Sequence, residues 1–157
     1  MNSPRFATVE DVPALIALAD ALVSLDVQFD PTLDPDYNRS EAGREWFLHL
    51  FSDTDACVLV IDDADGKPVA MLIGRIDDAT PWRKVRGRLG ELEMLCVAPG
   101  ERSRGLGREL VESFTKWAAQ QGASRVWVRV SAANAAAIRF YKRELFADYD
   151  VILERTV

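Results

Sequence analysis

The chain has one histidine, His49, and two cysteines, Cys57 and Cys96. That supply makes neither a disulfide framework nor a zinc pattern, so no metal is expected. Each cysteine lies inside an apolar, strand-like run and reads as a buried, reduced thiol. Cys96 as an acyl-carrying nucleophile would need a second histidine to activate it, and the sequence has none. His49 shares a helical stretch with Trp46 and Phe51 and reads as a surface or packing residue. No apolar stretch approaches the length of a membrane span. The opening Met-Asn-Ser-Pro-Arg-Phe lacks the apolar core of a signal peptide, which places the protein in the cytoplasm, away from membranes.

What is present is ordinary for a folded domain: 157 residues, 48% hydrophobic and 28% charged. That length reads as a single domain over 1–157, large enough to bury a core without staples. The net charge is −6, unevenly placed. Residues 1–80 carry 5 Lys/Arg against 16 Asp/Glu, and residues 81–157 carry 14 against 9. An acidic chain is a poor nucleic-acid binder. The basic second half suggests a polyanionic ligand; the acidic first half suggests a cationic partner or a solvated face.

Hydrophobic periodicity divides the chain into an order of β-α-α-β-β-β-α-β-α-β. A first strand spans 4–9, and Thr8 with Asp11 three residues on forms a capping-box pattern. Leu15, Ile16, Leu18, Ala19, Leu22 and Val23 recur at helical spacing, predicting a helix over 9–25. The proline-containing 30–36 stretch ends it. A second helix is expected over 40–52, strands over 57–61 and 68–76 joined by an Asp-Gly turn, and a polar connection over 77–88 containing Trp82. A strand at 89–97, a helix at 105–121, a strand at 125–130, a helix at 134–144 and a last strand at 149–154 follow. Strands first and alternating units later predict an α/β fold: a mixed, mainly antiparallel sheet flanked by helices.

The segment Glu91-Leu-Glu-Met-Leu-Cys-Val-Ala-Pro-Gly-Glu-Arg-Ser-Arg-Gly-Leu-Gly-Arg108 runs from strand through a glycine- and arginine-rich loop into a helix. Free N–H groups at a helix start, with the helix dipole, bind phosphate. Gly105 and Gly107 allow close backbone approach, and Arg102, Arg104 and Arg108 add charge and forked donors. A Walker A loop needs Gly-Lys before Ser or Thr, which is absent. A dinucleotide fingerprint needs a third glycine where Leu110 stands.

Arg102-Ser-Arg-Gly-Leu-Gly107 resembles the Arg/Gln-x-x-Gly-x-Gly/Ala motif of the GNAT acetyltransferases. Val97-Ala-Pro99 before it, Arg5-Phe-Ala-Thr-Val-Glu-Asp11 near the start and Asn134-Ala-Ala-Ala-Ile-Arg-Phe-Tyr141 near the end match the family's other segments in order, over nearly the whole chain. The resemblance implies acetyl-CoA as co-substrate and transfer of its acyl group to a primary amine by direct attack in a ternary complex. It implies that the amides of Arg102, Ser103, Arg104, Gly105, Leu106, Gly107 and Arg108 hold the pyrophosphate. Leu95, Cys96 and Val97 would pair their backbone with the pantetheine arm, and one of their amides would stabilise the oxyanion. Asn134 would hydrogen-bond that arm, as well as serving as a helix N-cap. Tyr141 would be the general acid; seven residues from Asn134, it shares that residue's helix face.

A base is also needed. Glu93 is the first candidate, being nearer the pantetheine end, and Glu91 the second; alternatively both are structural partners of Arg83, Arg86 or Arg88. Two departures from the family pattern stand out. Leu145 occupies the position where glycine is expected and should avoid positive φ, changing the helix end. The closing region also has one strand where the family often has a hairpin or a partner subunit, and a homodimer is implied by that analogy. The acceptor side is expected from the 26–40 loop, the second helix and the 77–88 connection. Asp26, Asp30, Asp34, Asp36 and Tyr37 there suit a cationic amine, either a small molecule or a peptide. The alternatives are a non-catalytic acyl-CoA-binding domain of the same fold and an interaction module that binds no coenzyme.

Overall fold

The computed structural model describes residues 3–78 and 87–155. The first strand is two residues long, Arg5–Phe6 (β1). Its bonding to the neighbouring segment ends with the Ala7 N–H, which donates to Val58 O (2.9 Å), and Arg5 is held by Asp62 (Nε–Oδ2 2.6 Å) and by Asp11 (2.8 Å). The Thr8 N–H donates to Asp11 Oδ2 (2.8 Å), turning the chain into a short 3₁₀ turn and then helix α1, Val12–Asp26. Helix α2 is Glu41–His49, capped by Ser40 Oγ, which accepts from the Gly43 N–H.

Strands β2 (Ala56–Asp62), β3 (Pro68–Asp78), β4 (Arg88–Val97) and β5 (Ala123–Val128) complete a sheet in the order β1-β2-β3-β4-β5. All neighbours are antiparallel except β4 and β5, which are parallel. The expected mixed, mainly antiparallel sheet is what forms. Helix α3, Leu106–Gln120, makes the parallel crossover; helix α4, Ala135–Arg143, follows β5. Trp82, Arg83 and Arg86 lie outside the described residues.

The sheet's two faces carry separate apolar cores. Leu15, Leu18 and Ala19 of α1 and Phe47 of α2 bury Val58, Val60, Met71, Ile73 and Cys96. Leu106, Leu110 and Phe114 of α3 bury Leu59, Leu72 and Leu92, with Phe140 and Tyr141 of α4 packed alongside. Tens of such side chains, each contributing roughly 1.5–3 kcal/mol when fully buried, hold the helices to the sheet.

Two expectations at the C-terminal end are corrected. Leu145 does adopt positive φ (67°), so the helix end matches the glycine-type ending despite the side chain. The Phe146 N–H reaches Tyr141 O (3.0 Å) and the Leu145 N–H reaches Lys142 O (3.2 Å), the paired bonds of a Schellman ending. Residues 149–154 form no strand and are exposed. An extended segment gains ladder hydrogen bonds only against a partner edge, and the sheet ends at β5 among the described residues.

Candidate active site

Strands β4 and β5 separate partway along. Their pairing runs from Arg88–Ala123 to Leu92–Val128, where it ends. Strand β4 continues to Val97 against β3 alone. The cause lies at Glu93: Gly74 faces Leu92 and Ile73 faces Met94, leaving Glu93 as an extra residue. Such a bulge bends its strand and ends regular pairing. Beyond it, the Ala98 N–H donates to Val69 O (2.8 Å). Antiparallel alternation then turns the N–H and C=O groups of Leu95 and Val97 away from β3, onto the open edge. Arg102 Nε donates to Val97 O there (3.2 Å). Cys96, between them, turns its side chain into the α1-side core.

The loop that follows turns its amides outward. Ser103 (φ 64°) and Gly105 (φ 86°) are both left-handed. Alternating left-handed residues gather successive N–H groups into an anion-binding concavity. The Glu109 N–H, onto Gly105 O (3.1 Å), makes the first α-helical bond of α3, so the N–H groups of Leu106, Gly107 and Arg108 precede it. Gly105 is required by its φ. Gly107 is favoured by packing: a Cβ there would lie 3.1 Å from the Phe140 ring, which would have to give way. The arginines are already engaged, Arg104 with Glu101 and Arg108 with Glu112 (2.9 Å). Their side chains must exchange partners to meet an anion.

Helix α4 presents the two residues of the second motif. Asn134 Oδ1 caps the helix by accepting from the Ala137 N–H (3.0 Å), which leaves its amide NH₂ as a donor. Tyr141 is gripped by Phe140 (ring centroids 5.1 Å) and Phe146 (5.4 Å), and its hydroxyl has no partner among the described residues. Burial raises its pKa above the ordinary 10.0, helped by the charge of Asp26, so it remains protonated at any working pH. The same carboxylate acts on Cys96, whose thiol burial pushes up to about 11.

On the α1 side of the sheet, the two glutamates part company. Glu93 is bound by Arg75 (Nε–Oε1 2.8 Å), which also meets Asp53 (3.4 Å). The expected partners Arg83 and Arg86 lie outside the described residues, and Arg88 instead holds Asp55. Glu91 stands opposite Trp127 at the last ladder positions before the separation, half-buried and without a hydrogen bond or ion pair among the described residues. Burial raises its pKa, and the nearby charges of Glu93 and Asp77 add to this. Arg129, over the Trp127 ring at 5.6 Å, completes this face.

His49 is exposed and its ring reaches only Ser52 (3.3 Å). Of the 26–37 acids, Asp30 and Asp34 bond their own loop, while Asp26 is half-buried. The sequence reading passed over Arg75, Trp127 and Phe140. Strand alternation could have flagged Arg75 and Trp127, but nothing local marks Phe140 as the neighbour of Gly107. No helix among the described residues is long and apolar enough to cross a membrane.

Known proteins share this fold. Residues 19–145 match the family model described as Acetyltransferase (GNAT) family. Streptothricin acetyltransferase of Streptomyces lavendulae is 41% identical over 56 residues, covering 36% of this chain and 30% of its own. Mycothiol acetyltransferase of Beutenbergia cavernae is 32% identical over 108 residues, covering 69% of this chain and 32% of its own. The chain thus spans about a third of the length of these two relatives. Among solved structures, glucosamine-6-phosphate N-acetyltransferase of Arabidopsis thaliana superposes with a TM-score of 0.73 at 20% identity, covering 98% of this chain and 97% of its own. Aminoglycoside N-acetyltransferase AAC(6')-Iy in complex with CoA does so at 0.76 and 17%, covering 98% and 93%. The family match over most of the sequence, on a fold whose sheet opens beside an amide-lined loop, means that this chain belongs to the GNAT family of acetyltransferases.

Proposed function

We propose that the protein transfers an acetyl group from acetyl-CoA to a primary amine by direct attack in a ternary complex. The observation that carries this reading is the open β4 edge at Leu95 and Val97, which leads from the Ser103–Gly105 concavity toward Tyr141. The parts fit an acyl-CoA: amides for a pyrophosphate, a strand edge for an extended amide-bearing arm, and the free Asn134 NH₂ for a carbonyl. When bound, acetyl-CoA supplies the activated acyl carbon. The Leu95 or Val97 N–H is available to its carbonyl oxygen. Glu91, unpaired and made more basic by burial, takes the ammonium proton of the acceptor. As the N–C bond forms and the C–S bond breaks, the Tyr141 hydroxyl donates to the departing sulfur, and the tyrosinate recovers the second proton that the acylated nitrogen sheds on becoming the neutral amide.

The acceptor is proposed to carry further positive charge, because Glu91 lies beside the opening with the charge of Asp77 acting on it and the first half of the chain is acidic. Relatives named for acetylating streptothricin and mycothiol favour a small-molecule amine over a peptide.

The test is melting temperature against acetyl-CoA concentration, with CoA and ATP as controls. Acetyl-CoA at about 100 times its Kd should stabilise the fold by roughly 2.7 kcal/mol. Tyr141→Phe should keep that shift and lose turnover by about 10²-fold. A wild-type shift without turnover on any amine would select the non-catalytic acyl-CoA-binding reading. No shift would overturn both.

A further inference from the structure

We infer that Asp26 is an ammonium-binding site, the anchor that receives the acceptor amine beside Tyr141. This rests on the acetyltransferase reading and gives its acceptor side a specific residue. Helix α1 lays Leu15, Leu18, Ala19 and Leu22 against Met94, Cys96 and Ala98. Asp26 comes four residues after Leu22, so the same inward stripe that packs on β4 ends in a carboxylate. The stripe is aimed at the part of β4 whose other edge is open.

Three features make this a poor place for a charge with only a structural task. The carboxylate is half-buried, and desolvation raises its pKa. It makes no hydrogen bond or ion pair with any described residue, whereas Asp11, Asp20, Asp53 and Asp62 each hold an arginine. It also occupies the last residue of α1, in a turn without basic residues, where the helix dipole disfavours negative charge. A buried, uncompensated charge is destabilising unless a partner arrives. Its charge acts on both the Tyr141 hydroxyl and the Cys96 thiol, in keeping with a place near the open part of β4. An alkylammonium satisfies the site, because it carries the missing positive charge.

Asp26→Asn tests this in the full chain. The measurements are melting temperature without ligand near neutral pH, the acetyl-CoA-induced shift, and KM and kcat for n-butylamine, putrescine and spermidine, read as CoA thiol release. The expected result is a raised unliganded melting temperature and an unchanged acetyl-CoA shift. KM for the amines that turn over should rise tenfold or more, the scale of one charged hydrogen bond. Calorimetric titration of the same amines into the wild type should show binding that the variant lacks. A lowered melting temperature, unchanged KM, or amine binding equal in both proteins would overturn the proposal. Loss of the acetyl-CoA shift in the wild type would instead sink the coenzyme reading, leaving amine calorimetry to decide Asp26 alone.

Discussion

Glu91 and Glu93 stand two residues apart, yet the fold gives them different tasks. The bulge hands Glu93 to Arg75 and leaves Glu91 unpaired at the edge of the opening. The sequence showed both carboxylates upstream of the 102–108 loop and put Glu93 first. It could not show that an arginine eighteen residues away on a neighbouring strand takes Glu93 up. Glu91→Gln should separate function from stability. Its carboxyl has a folded pKa raised above the ordinary 4.5, so the protonated form is the one favoured in the native state. That contribution is complete below the unfolded value and is lost as pH rises through the folded one. The variant should therefore match the wild type in melting temperature near pH 4 and exceed it toward pH 8. Turnover should fall at least tenfold, with loss of the acidic limb of the pH–rate profile. A variant less stable than wild type at pH 8 would assign Glu91 a structural role.

Among the elements, those with a strong repeating pattern were legible: the four helices, the β2–β3 hairpin and the strand leading into the 102–108 loop. The elements misjudged depend on partners distant in sequence. The first strand is only as long as its pairing with Leu59 and Val60, and the bulge is set by register against β3. At the end of α4, sequence rules expected Leu145 to avoid the left-handed region. The Phe146–Tyr141 ring contact and the two Schellman hydrogen bonds outweigh that cost. A non-glycine residue in that conformation costs about 1 kcal/mol. The Leu145 side chain is 93% exposed, so little packing opposes its removal. Leu145→Gly should stabilise the protein by about 0.5–1 kcal/mol, read as a higher urea midpoint at unchanged m-value. The acetyl-CoA shift should be unaffected, since Tyr141 keeps its ring contacts. A lower midpoint would mean that Leu145 has packing the monomer does not reveal.

At the scale of the whole molecule, the sheet ends in the two-residue β1 on one side and in β5 on the other. Strand β5 pairs with β4 along one edge, and its second edge has no strand beside it among the described residues. Next to it runs the chain expected to be the last strand. Tyr149 lies beneath Arg125 (5.0 Å), and Val151, Ile152 and Leu153 beyond it are 78%, 71% and 89% exposed. An open edge is a template for pairing, and an apolar extended segment is its natural complement. One molecule carries both, so two molecules can satisfy each other reciprocally through a two-fold axis. The expected outcome is a homodimer with a light-scattering mass twice the 17.5 kDa of the chain. Placing lysines at Val151 and Leu153 should shift it to monomer while leaving the far-UV spectrum intact. Because β5 flanks the opening through Trp127 and Arg129, the monomeric form should also show a raised KM for the amine, with its acetyl-CoA shift retained. A wild type that remains monomeric at high concentration would show that this edge stays open to solvent.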